Sequence, residues 1–184
     1  RDVFGTTELR LLNGEPYDVG GEWAWLSLYD SVSEALGEEI TPEVPLERLR
    51  VIAERVDLDL SGKEKGLVAG KVVEELFEHL VGEKLFAPTF VCDFPQDTSP
   101  LTRAHRSRAG VAEKWDLYAR GFELATAYSE LIDPVHQRER FEAQALLAAA
   151  GDPEAMHVDE EFLLAMEYAL PPLGGMGMGI DRLL

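Results

Sequence analysis

The run Gly174-Gly175-Met176-Gly177-Met178-Gly179-Ile180 constrains the fold more than any other stretch of the chain. In an extended strand side chains alternate, so Gly175, Gly177 and Gly179 share one face and Met176, Met178 and Ile180 the other. The apolar face is expected to pack into a core. The glycine face presents bare backbone on which a planar ring can lie, because glycine permits close approach. Asp181-Arg182-Leu183-Leu184 then reads as the start of a helix, and at that corner the Arg182 guanidinium can stack on a base or pair with a phosphate. The alternative is a glycine-rich turn packed under a helix. Gly66 to Val72 is one residue short of a Walker A loop and lacks its Ser or Thr.

A second constraint is the hairpin of Trp115–Ala119 and Phe122–Tyr128 about Arg120-Gly121. With that turn Tyr118 opposes Glu123, and Asp116 lies two residues down on the same face. Asp116 and Glu123 become diagonal neighbours within joint reach of one cation, and two carboxylates completed by phosphates are a usual way to hold Mg²⁺. A solvated acidic face is the alternative. In a regular strand Thr126, Tyr128 and Glu130 alternate away from Glu123, so they serve the same pocket only if a bulge lies between Glu123 and Thr126.

The remaining chain supplies the frame. Thr6–Leu12 and Glu15–Val19 read as a hairpin turning at Asn13-Gly14. Ser27 is a candidate cap for a helix carrying Leu28, Val32, Ala35 and Leu36 and stopping at Gly37. Leu46, Leu49 and Ile52 stripe a short helix after Pro45, and Glu64 to Val81 gives the clearest helical period. These helices read as a small helical insert rather than the place of chemistry. Pro88–Phe94 is a short β-rich run in which Cys92 reads as core, and Ser99–Ala109 a basic loop. Asp133-Pro134 opens a long helix to about Ala150, with Phe141, Ala145 and Leu146 inward, and Asp159 opens another with Phe162, Leu163, Met166 and Leu170. Domain organisation follows: 1–26 and 84–184 carry the strands and the candidate site of chemistry, and 27–83 is the insert.

Charge excludes several partners. The balance of 35 acids against 17 bases, −18 overall, opposes non-specific binding to nucleic acid or anionic membrane. Against it, Arg103, His105, Arg106 and Arg108 stand together in the basic loop, either to meet phosphate or simply solvated. One cysteine excludes a disulfide framework or thiolate cluster, and His79, His136 and His157 lack metal spacing. No apolar run approaches the roughly 20 residues of a membrane helix. Residues 1–15 are polar, which gives no signal peptide, and a chain opening on Arg1 and closing at Leu184 inside a starting helix reads as a piece of a longer one.

In order, these pieces closely resemble the C-terminal part of the catalytic domain of class II lysyl-tRNA synthetases. The matching stretches are Phe4 to Leu9, Pro88-Thr89-Phe90, Ser99-Pro100-Leu101, Phe122 to Leu131, Gln137 to Phe141, Gly151-Asp152, and the glycine strand through Arg182. The last looks like the third class-defining motif. The resemblance implies an α+β fold, a six- or seven-stranded antiparallel sheet flanked by helices, binding bent ATP. It makes Asp116 and Glu123 the Mg²⁺ carboxylates, Arg182 the arginine on the γ-phosphate and adenine side, and Gly177 and Gly179 the adenine floor. Glu130 would pair with the lysine ammonium, Tyr128 would pack beside its stem, and Thr126 would lie near the amino acid.

The family commonly has Glu at Asp116, Asn at Thr126 and Gly at Ala127. The Trp115-Asp116-Leu117-Tyr118 wording is closer to the actinobacterial type, where related domains are also fused behind a membrane lysyl-phosphatidylglycerol synthase. The implied activity is lysine–tRNA ligation in the cytoplasm, with ATP, L-lysine and tRNA(Lys) as partners and Mg²⁺ as cofactor. A homodimer is implied for the full-length protein, and this segment would make no membrane contact of its own. The first two motifs and the anticodon-binding barrel are absent from these residues, so tRNA would dock mainly elsewhere and residues 1–184 alone are expected not to activate lysine. The rivals are the lipid-lysylating enzyme and a synthetase-like binding module without catalysis.

Overall fold

The computed structural model describes residues 5–62, 66–152 and 155–183. Phe4, Leu184 and the expected helix start at Glu64 lie outside them. The elements are β1 (Glu8–Arg10), β2 (Pro16–Asp18), β3 (Ala24–Ser27), α1 (Leu28–Leu36), α2 (Leu46–Arg55) and α3 (Ala69–Leu80) in the first half. Then come β4 (Thr89–Pro95), β5 (Val111–Ala119), β6 (Phe122–Ser129), α4 (Pro134–Ala150), α5 (Glu160–Glu167), β7 (Gly174–Met178) and α6 (Ile180–Leu183).

Among the described residues the main sheet has five strands in the order β3-β4-β5-β6-β7, with helices against it. It is antiparallel except for the parallel pair β3-β4. The antiparallel-rich sheet flanked by helices agrees with the fold that the resemblance implied, with five strands among the described residues against six or seven. The parallel pair arises because the chain leaves β3 through three helices before returning as β4, which a tight turn cannot do.

Local signals explain the helices. The Ser27 hydroxyl accepts the Asp30 N–H and Gly37 closes α1 in the left-handed region. The Asp133 carboxylate caps α4 through the Val135 and His136 amides, and Gly151 ends it. Gly66, at φ +70°, is out of helical conformation, and α3 starts at Ala69 after an extended Val68. One core then joins α1, α2 and α3 to the sheet through Leu28, Val32, Leu49, Leu76, Phe77, Val91 and Tyr118. A second, smaller core joins Phe141 of α4 to Leu163 and Met166 of α5.

Four expectations are corrected. The first hairpin turns through five residues, Leu11 to Glu15, because Arg10 pairs with Pro16 and the Leu11 N–H bonds the Glu15 carbonyl. In α4 the buried stripe is Gln137, Phe141 and Gln144, which leaves Leu146 on the far side, 73% exposed. Most consequentially, Met176, Met178 and Ile180 are exposed rather than in a core, because no described element covers that face of the β7 edge. Cys92, expected in the core, is half-buried, and burial pushes its thiol up to about 11.

The docking of α3 rests on Gly70, whose N–H bonds the Asp97 carboxylate at 3.0 Å. A Cβ there would stand 2.5 Å from Pro95 Cβ and overlap the same carboxylate. Gly70→Ala is therefore expected to destabilise by about 1–3 kcal/mol, although alanine is the better helix former by about 1 kcal/mol. Chemical denaturation measures it, and unchanged or raised stability would show that the loop at Asp97 yields freely.

Candidate functional site

The site is built on the hairpin β5-β6 and its neighbour β7. Arg120 and Gly121 both take positive φ, 58° and 82°, the pair of conformations that suits a two-residue hairpin turn. The Arg120 and Gly121 amides bond the carbonyls of Phe86 and Leu85, and a Cβ on Gly121 would lie 2.6 Å from the Glu83 carbonyl oxygen. The turn is thus clamped, which fixes the register: Tyr118 opposes Glu123, as the sequence predicts.

The register then shifts, so that Leu117 opposes Ala125 and Asp116 opposes Thr126. Leu124 is the extra residue. This bulge lies in the interval where a shared pocket requires one, and it turns Glu123, Thr126 and Tyr128 to one face. The row continues into β7, where Gly177 opposes Thr126 and Gly175 opposes Tyr128. One face therefore carries, across three strands, Asp116, Thr126 and Gly177 in one row and Lys114, Tyr128 and Gly175 in the next.

Each expected residue has a definite environment. Asp116 is 2% exposed; its Oδ2 lies 3.1 Å from Lys114 Nζ and its Oδ1 has no hydrogen-bond partner. Burial raises the Glu123 carboxyl, the Asp116 charge raises it further, and Lys114 and Arg182 oppose the rise. Thr126 Oγ1 is likewise buried without a partner. Glu130 follows β6, bridging to Thr102, with its N–H on the Leu173 carbonyl. Burial raises its carboxyl as well, and among the described residues it has no ion-pair partner.

The glycine face differs along its length. A Cβ on Gly175 would meet Glu130 Oε1 at 2.7 Å, whereas one on Gly177 would meet only Thr126 Cγ2, at an ordinary 3.8 Å. The Gly179 N–H bonds the bulged Leu124 carbonyl at 3.0 Å. Arg182 of α6 is exposed and places Nη1 2.8 Å from the Glu123 carbonyl oxygen, beside the carboxylate pair. All eight residues singled out from the sequence thus lie on or beside one patch of sheet. A cleft of about 700 Å³ runs past Lys114, Tyr128 and Gly175.

The basic loop is largely spent on local carboxylates. Arg108 pairs with Asp93 and donates to the Ser27 hydroxyl, and Arg106 pairs with Glu113 at 2.8 Å. Two contributors escaped sequence reasoning. Lys114 could have been found by alternation, two residues before Asp116. Glu78 of α3, which accepts the Tyr118 hydroxyl, is too distant in sequence for any spacing to reveal.

Comparison with known proteins decides the family. Residues 16–184 match the model of the tRNA synthetases class II (D, K and N). The chain belongs to the class II tRNA synthetases. Among these synthetases it is 61% identical to the lysine–tRNA ligase of Mycolicibacterium gilvum and 60% identical to that of Kineococcus radiotolerans, over 183 residues in each case. Both alignments cover the whole chain but 36% of the relative, so the chain spans about a third of the length of these curated relatives. It is also 56% identical over 170 residues to a lysylphosphatidylglycerol biosynthesis bifunctional protein of Mycobacterium avium, covering 92% of the chain and 14% of that protein. No described helix is long and apolar enough to cross a membrane.

Proposed function

We propose that this chain carries the metal, nucleotide and side-chain contacts of a lysine–tRNA ligase, which joins lysine to ATP as lysyl-adenylate and passes the lysyl group to tRNA(Lys). The observation carrying the reading is the single face on which Asp116, Glu123 and Glu130, the last without an ion pair among the described residues, stand beside the open backbone of Gly177. The match to the bifunctional Mycobacterium avium protein supports a second reading, with the same activation chemistry and a lipid as the destination of the lysine.

The residues fit a divalent cation, because Asp116 and Glu123 are adjacent, repel each other and leave one buried oxygen without a partner. Two carboxylates are a partial site that ATP phosphates would complete. Bound Mg²⁺ would neutralise phosphate charge. No side-chain nucleophile is required: a substrate carboxylate oxygen attacks the α-phosphorus, and its bond to the bridging oxygen breaks to release pyrophosphate. The chain's work is orientation. Glu130 and Tyr128 hold the amino acid by its ammonium and stem, Gly177 leaves room for the adenine ring while Gly179 lets the Arg182 side chain pack close, and Arg182 meets phosphate. The reading brings with it tRNA(Lys) as acceptor, a homodimer and the cytoplasm.

The glycine face gives a test with two opposite outcomes. Gly175→Ala should displace the Glu130 carboxylate, a flexible group, so stability changes little while the KM for lysine rises about tenfold or more. Gly177→Ala should fold equally well and raise the KM for ATP instead. Steady-state pyrophosphate exchange in the intact protein separates the two, and identical effects of both variants on lysine and ATP would contradict the assignment.

A further inference from the structure

Lys114 belongs to none of the roles above, yet it holds the central position in the site. It precedes Asp116 by two residues on β5 and shares its face. Its Nζ lies 3.1 Å from Asp116 Oδ2 and 4.0 Å from the centroid of the Phe94 ring. The ammonium is therefore held between a carboxylate and an aromatic face.

The need for a cation here is physical. Asp116 is 2% exposed, and a buried carboxylate without a counter-charge is strongly disfavoured. Glu123 adds a second negative charge beside it, and Glu78 adds a third from α3. The Arg182 guanidinium donates to the Glu123 main-chain carbonyl rather than to a carboxylate. Among the described residues, Lys114 alone forms an ion pair with Asp116.

We propose that the Lys114 ammonium is the resident counter-ion of the Asp116–Glu123 pair, holding it in place before a divalent cation arrives and then competing with that cation, so that Lys114 sets the metal affinity of the site. The proposal rests on the reading of these two residues as metal carboxylates. Lys114 acts through them and is a positioning residue. A divalent ion at Asp116 would repel the ammonium, whose existing contact with the Phe94 ring would remain to hold it in the site. The charge of Lys114 also reaches the Glu74 carboxyl of α3.

The test is Mn²⁺ binding to the intact protein at saturating ATP without lysine, read by electron paramagnetic resonance. Lys114→Gln keeps an N–H donor for Oδ2 but removes the charge. It should bind Mn²⁺ about tenfold more tightly, the change that about 1.4 kcal/mol of relieved repulsion gives. Its metal-free form should melt several degrees lower, and Mn²⁺ with ATP should stabilise it more than it stabilises the wild type. Lys114→Arg keeps the charge and can grip Asp116 with two donors, so it should bind Mn²⁺ no more tightly than wild type. Both variants report on the site independently, so a folding failure in one leaves the other decisive. Unchanged or weaker Mn²⁺ binding in Lys114→Gln, or tighter binding in Lys114→Arg, overturns the proposal. Asp116→Asn separates the two levels. If it leaves Mn²⁺ affinity unchanged, the metal reading of the pair fails and the counter-ion role fails with it. If it loses affinity while Lys114→Gln gains none, only the counter-ion role fails.

Discussion

Replacing Glu130 by glutamine is expected to raise the KM for lysine by about one to three orders of magnitude while leaving the KM for ATP nearly unchanged. The carboxylate stands at the end of β6, raised by burial, against the bare backbone of Gly175 and without an ion pair among the described residues. A group held in that state rewards an incoming ammonium and penalises a neutral side chain. Glutamine preserves shape and one acceptor oxygen but not the charge, so most of the loss belongs to charge pairing. Initial-rate measurements at varied lysine and varied ATP resolve it. Equal loss toward both substrates would mean that Glu130 serves the Thr102 bridge and the fold rather than the substrate.

Removal of the Arg182 side chain should act on the other substrate. Arg182→Ala is expected to lower the rate of lysine-dependent pyrophosphate exchange by at least about two orders of magnitude, the usual cost of deleting a charged donor to a transferring group. Arg182 is exposed and its one hydrogen bond is to the Glu123 carbonyl, so the fold should lose little. Lysine is a poor replacement, because one compact ammonium cannot bond the Glu123 carbonyl and a phosphate in the fixed fork of a guanidinium. Thermal melting of the variant checks the first point and Arg182→Lys the second. Exchange near the wild-type rate in either variant would leave Arg182 as a strut between α6 and β6.

What the sequence made legible was local and periodic. The Arg120-Gly121 turn fixed Tyr118 opposite Glu123, and the demand that Glu123 and Thr126 face one pocket located a bulge that falls at Leu124. Glycine alternation placed Gly175 and Gly177 on the face shared with Tyr128 and Thr126. Caps at Ser27 and Asp133 were readable because a side-chain oxygen and the amides it serves lie within one turn. The misses share a different cause: they depend on what lies across space. Met176 and Met178 alternate as core residues do, but no described element covers them. The parallel pairing of β3 with β4 spans three helices and leaves no turn signal. Asn13-Gly14 favours a two-residue turn, yet the Leu11–Glu15 hydrogen bond widens it. Lys114 sat within the alternation but looked like any solvated base until its distance to Asp116 was known.

The measurement bearing most directly on the central claim is amino-acid-dependent exchange of labelled pyrophosphate into ATP by the intact protein. The family spans aspartate, lysine and asparagine enzymes, so all three amino acids belong in the assay. The account predicts exchange with lysine, lost when Mg²⁺ is chelated and when Glu130 is replaced by Gln at low lysine, and little exchange with aspartate or asparagine. No lysine-dependent exchange, or equal exchange with asparagine, would contradict it.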